Sequence, residues 1–201
     1  MKLREIASYD IMPMFNYLKQ HDAILSDRTG GGSKRVSQMS DISFDKDGTP
    51  NFAGYQLSLQ GNDGQLDLPK GPPEFRNLIY LELTSFTILS WDELPTGLES
   101  LYMGMGHLPN PANIPSSIKY LSTTDTGFAG SLLPLFDGRI DEVYISFVGD
   151  DGFVELTYKH GSITAGFTPD SDALARPIIE KLDSVFEFQD WMISHNLEHM
   201  I

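Results

Sequence analysis

The chain contains no cysteine. That absence removes disulfides, thiolate nucleophiles and Cys-based zinc or iron–sulfur centres, so stability has to come from packing. Positive charge is scarce too: 14 Lys and Arg stand against 28 Asp and Glu, a formal net charge of −14. Such a surface repels a nucleic-acid backbone or an anionic membrane and suits a basic protein partner, although acidity also serves solubility. No apolar run is long enough to cross a bilayer. The opening MKLREIASYDIMPMF is broken by Arg4, Glu5 and Asp10 and does not read as a secretory signal. We therefore expect a cytoplasmic protein with no membrane and no nucleic acid among its ligands.

What remains is enough for a core. A length of 201 residues with 40% hydrophobic content suits a single domain, 1–201. From Asp10 to Leu25 the apolar residues Ile11, Met14, Phe15, Leu18 and Leu25 fall at helical spacing, with Asp10 as cap and Pro13 in the first turn. SDRTGGGSKR, Ser26 to Arg35, reads as a mobile loop. DISFDKDGTPNFAGYQLSLQGN alternates apolar and polar residues on both sides of Lys46-Asp47-Gly48, the signal of a hairpin.

A 20-residue echo dominates the middle. LIYLEL at Leu78 to Leu83, LESLYM at Leu98 to Met103 and IKYLST at Ile118 to Thr123 align at two successive steps of 20. Each carries apolar residues at its first and fourth positions, and the eleventh is Ile88, Leu108 and Phe128. Leu94-Pro95 and Ile114-Pro115 precede two of the units, and looser copies stand at Gly54 to Asn62 and Ile140 to Val148. The pattern resembles a leucine-rich repeat, most closely the short, Pro-marked bacterial subclass, over residues 54–148. The resemblance implies a short solenoid with a curved, largely parallel sheet; with β-hairpins and helices read in the flanking residues as caps at both ends, the fold expected is α+β. One departure stands out. Where the family usually has Asn, this chain has Phe86, Gly106 and Thr126, with Asn62 alone matching, so the ladder of buried Asn side chains is largely missing.

The flanks read as caps, 1–53 before the repeats and 149–201 after them. VYISFVGDDGFVELTY forms a second hairpin, turning at Asp150-Asp151-Gly152. Asp172 to His199 reads as a helix, with Pro177 in its first turn and Ile178, Ile179, Leu182, Val185, Phe186, Met192 and Ile193 as its apolar face.

Chemistry-bearing motifs are few. HNLEH, His195 to His199, matches the H-x-x-E-H pattern of inverted zinc peptidases, but the third ligand of that family lies well downstream and only two residues follow His199. We expect the polar side of a terminal helix there, without metal. TGGGSKR lacks the spacing of a phosphate loop. DKDG and GDDG lack a calcium loop's final Glu and read as hairpin turns. No nucleophile motif is present, and no cofactor is expected.

The strands carry the functional signal. If Leu81, Leu83, Leu101, Met103 and Leu121 face the core, alternation puts Tyr80, Glu82, Tyr102, Tyr120, Glu142 and Tyr144 on the opposite, concave face. Tyr offers large contact area at low entropic cost, and strand propensity alone also favours it. The function expected is a non-enzymatic protein-binding module whose acidic, Tyr-bearing face captures a basic partner, for example an immunity protein neutralising a basic toxin. The alternatives are a bacterial effector binding a host protein through the same repeats, or an enzyme with its site in the terminal regions.

Overall fold

The computed structural model describes residues 11–46, 48–68, 75, 77–149, 152–169 and 178–201. Its centre is built by the echo. Five parallel strands, β5 (Tyr55–Gln65), β6 (Tyr80–Thr87), β7 (Ser100–Leu108), β8 (Tyr120–Phe128) and β9 (Glu142–Gly149), lie side by side in chain order. Leu57, Leu81, Leu101, Leu121 and Val143 are register partners, so one residue per strand stacks into a buried column. Leu59, Leu83, Met103, Thr123 and Ile145 form a second. The Thr123 hydroxyl in that column is buried with no hydrogen-bond partner among the described residues.

The return paths after β6 and after β7 share one local chemistry. After β6, Ser90 Oγ accepts from the amide of Asp92 and opens a 3-10 turn at Trp91–Glu93; after β7, Asn110 Oδ1 does the same for Ala112 and the turn Pro111–Asn113. Pro95 and Pro115 then carry the chain to Leu98 and Ile118, whose amides donate to the carbonyls of those two prolines and whose side chains are buried. The Leu94-Pro95 and Ile114-Pro115 pairs are thus turns leading into β7 and β8.

A second echo lies in the backbone. Ser85, Met105 and Asp125 have φ of 59°, 45° and 48°, and each is skipped in the register, so a kink sits at one level of three neighbouring strands. One residue on, at the level where Asn was sought, the backbones crowd. A Cβ on Gly106 would fall 2.0 Å from the Phe86 carbonyl oxygen, which is why a residue with no side chain stands there. Among the described residues Thr126 supplies a side-chain tie at this level, its single hydroxyl proton shared between the carbonyls of Met103 and Thr124 at 3.0 and 3.1 Å. Asn62 is exposed, and a register shift in β5 places Gly64 opposite Phe86 instead.

The flanks depart further from expectation. Residues 26–35 are no loop: β1 (Ile24–Asp27) and β2 (Gly32–Arg35) form a hairpin that adds antiparallel to β5. Asp27 Oδ1 accepts from both the amide and the hydroxyl of Thr29, which closes the turn. Those bonds also hold the Asp27 carboxyl below its ordinary pKa. The first helix, α1 (Met12–Gln20), ends five residues before Leu25, because Asp22 turns left-handed at φ 48°. Leu25 is buried from β1 instead. The short hairpin of β3 (Ser43–Phe44) and β4 (Pro50–Asn51) is present, but it involves two residues on each side, and the run after it joins the main sheet.

At the other end β9 pairs antiparallel with β10 (Gly152–Lys159), as the hairpin signal predicts. β10 pairs with β11 (Ser162–Pro169) through His160-Gly161, both at positive φ, the two-residue turn that suits a twisted hairpin. The expected helix from Asp172 splits. β12 (Ile178–Leu182) pairs with β11, and only α2 (Val185–Ser194) is helical, capped by Ser184 Oγ accepting from the Glu187 amide. Pairing with β11 buries Leu182 but leaves Ile178 and Ile179 about two-thirds exposed, and Phe186 is 79% exposed, so these three do not form a core face. Asp10, Asp47, Asp150, Asp151, Asp172 and Pro177, invoked as caps, turns and helix start, lie outside the described residues.

Among the described residues the product is an α+β architecture, a mixed ten-stranded sheet in the order β12-β11-β10-β9-β8-β7-β6-β5-β1-β2 with two α-helices. Met14, Phe15 and Leu18 of α1 and Phe188, Trp191 and Met192 of α2 join the same hydrophobic cluster as the leucine columns. The opposite side of the central strands carries the exposed rings of Tyr102, Tyr120 and Tyr144.

Candidate functional site

Alternation does the first part of the work. With the leucine columns turned inward, the intervening residues face out in three rows. Gln56, Tyr80, Ser100, Tyr120 and Glu142 are register partners, as are Ser58, Glu82, Tyr102, Ser122 and Tyr144. The third row is Gln60, Thr84, Gly104, Thr124 and Ser146. Five of the six residues expected on this face, Glu82, Tyr102, Tyr120, Glu142 and Tyr144, line one shallow groove of about 580 Å3 with Gln56, Ser100, Ser122, Thr157 and Lys159. Tyr80 belongs to the rows but not to the groove lining. Its ring is covered by Arg28, whose Cζ lies 3.4 Å from the ring centroid.

The rings differ in how they are held. Tyr102 extends toward the empty position of Gly104, with Cε1 3.7 Å from where a Cβ would stand, and its hydroxyl is 3.4 Å from Thr124 Oγ1. Tyr102 is 37% exposed and Tyr120 43%. Tyr144 donates to Glu155 Oε1 at 2.8 Å; partial burial, then that bond, raise its pKa above the ordinary phenol value, so it acts as a neutral donor at working pH.

The carboxylates do not form a uniform acidic patch. Lys159 Nζ sits 2.7 Å from Glu142 Oε1, and Glu155 accepts from Tyr144. Glu82 Oε2 accepts from Gln56 Nε2 at 2.7 Å and from Ser58 Oγ, so β5 orients this carboxylate. Neither of those bonds uses Oε1.

Lys159, Thr157 and Glu155 were missed in the sequence, although the predicted β9–β10 hairpin carried the signal. Its register puts Glu142 beside Lys159, Tyr144 beside Thr157 and Ser146 beside Glu155. Arg28 had no comparable signal, because it reaches Tyr80 from the turn of a hairpin that read as loop.

His195 and His199 do not share a helical face. α2 ends at Ser194, His195 stacks on Trp191 at 4.1 Å with Nδ1 2.8 Å from the Trp191 carbonyl oxygen, and His199 lies in a separate 3-10 turn. Among the described residues no three His, Asp or Glu side chains group as a metal site would require, and no helix is long and apolar enough to cross a membrane. Comparison of the chain with protein-family models, with curated proteins and with solved structures gives no significant match.

Proposed function

We propose that the protein is a non-enzymatic binding module that holds a basic protein partner against the outward face of β6 to β9. On this reading the central strands are a short leucine-rich-repeat-like solenoid whose shared face is the docking surface. An immunity protein that covers a basic toxin is its concrete form. The observation that carries the reading is the convergence of Glu82, Tyr102, Tyr120, Glu142 and Tyr144 on one open groove. Aromatic side chains of this kind are the usual anchors of protein interfaces, and a groove this shallow suits a protein surface better than an enclosed small molecule. The net charge of −14 favours a cationic partner through long-range attraction.

The test compares variants against a basic partner isolated by affinity capture. Tyr102→Ala should weaken binding by about 2 kcal/mol or more, as loss of a central anchor does. Glu82→Lys should slow association and flatten its dependence on salt. Binding unchanged by Tyr102→Ala but abolished by Phe186→Ser would move the interface to α2 and end this proposal.

A further inference from the structure

We infer that the groove takes an arginine side chain of the partner, with its guanidinium stacked on the Tyr102 ring and donating to Glu82 Oε1. This inference rests on the docking reading above and adds the chemistry of its central contact.

The face already holds cations of the chain itself at both margins. Arg28 lies over Tyr80 at one side, and Lys159 meets the Glu142 carboxylate at the other. Between them Glu82 and Tyr102 are register partners on neighbouring strands, which places the two side chains about 5 Å apart at their roots. Neither has a cation of the chain against it among the described residues. Gln56 and Ser58 fix the carboxylate through Oε2 and leave Oε1 to accept from elsewhere. The Tyr102 ring, 37% exposed, leans past Gly104 toward Thr124 on β8 while Glu82 is held toward β5, so the two side chains diverge from adjacent roots and flank the space between them.

A guanidinium matches both elements at once. Its plane stacks on an aromatic face while its edge donates to a carboxylate, and it is more weakly hydrated than an ammonium. Lysine can make either contact but lacks the planar fork that makes them together. Arg28 on Tyr80 displays the stacking half of this recognition within the chain.

The probes are three short peptides of identical length, each with three glycine-separated copies of arginine, lysine or citrulline. Binding to the full chain is followed at physiological salt by nuclear magnetic resonance of labelled tyrosine rings. The arginine peptide should shift the Tyr102 signals saturably, with an affinity at least fivefold above that of the lysine peptide, and the citrulline peptide should leave them unmoved. Glu82→Gln should weaken the arginine peptide at least tenfold with the fold intact by circular dichroism. Tyr102→Leu should remove its preference over lysine. Arg28→Ala should add a response at Tyr80, whose ring it uncovers. Equal affinity for arginine and lysine, full affinity in Glu82→Gln, or no movement of Tyr102 would each overturn the arginine site. If Tyr102→Ala still weakened the captured basic protein in that event, the docking face would stand without its arginine contact.

Discussion

The parallel centre of the sheet and its antiparallel C-terminal end bury the same kind of apolar face by different means. In the centre each strand reaches its neighbour only after a return path, and cohesion comes from columns such as Leu57, Leu81, Leu101, Leu121 and Val143, where an inner residue has a stacked neighbour on both sides. At the end, β9 to β12 are joined by direct antiparallel pairing, and Leu182 on the edge strand has the single partner Ile163. Backbones also approach differently. Gly106 in the centre is hemmed in by Phe86, whereas a Cβ on Gly166 of β11 would meet Glu155 and Ile179 no closer than 3.7 Å. The crowding is local to the kink level and not a property of the whole centre, since a Cβ on Gly104 would meet nothing closer than 3.7 Å.

That contrast can be broken most directly in the columns. Leu101→Ala should cost roughly 2–5 kcal/mol, and Leu182→Ala only about 2, because a cavity between two stacked strands collapses less readily than one at an edge. Urea unfolding of both variants checks this, and equal losses would erase the distinction between centre and end. The glycines sharpen it. Gly106→Ala should destabilise by about 3 kcal/mol, since a backbone carbonyl must move to admit the new carbon. Gly166→Ala should be neutral or stabilise by about 0.5 kcal/mol, as alanine fits the strand without a clash and lowers the entropy of the unfolded chain. Thermal melts that rank these two the other way would show the kink level to be more pliant than the contacts imply. The smallest effect lies inside the second column: Thr123→Val keeps the shape and removes an unpartnered buried hydroxyl, so it should stabilise by about 1 kcal/mol. A loss of stability there would mean that the hydroxyl has a partner in solution.

Within the centre the residues themselves were informative. The spacing of Leu81, Leu101 and Leu121 predicts the register, and strand alternation then places Glu82, Tyr102 and Tyr144 in one outward row. The flanks were opaque for a physical reason. Residues Ile178 to Leu182 carry apolar side chains that suit helix or strand equally, and the exposed edge of β11 decided between them. The stop came from Ser184 and Glu187, whose spacing is that of a helix start and was there to be read. Likewise the polar composition of Ser26 to Arg35 suggests a loop, yet β5 offered it an edge to pair with.

The sequence by itself determined the period, the inner columns, the outward rows and the sign of the net charge, because each depends on composition or on spacing along the chain. The tertiary structure alone decided the rest. Arg28 covers Tyr80, Lys159 pairs with Glu142, and Gln56 with Ser58 orients Glu82, so that a formally acidic face becomes a groove whose charged groups and rings are held by different neighbours. Those contacts join residues up to 52 positions apart, and no local pattern reports which side chains the folding of two flanks will bring against a sheet.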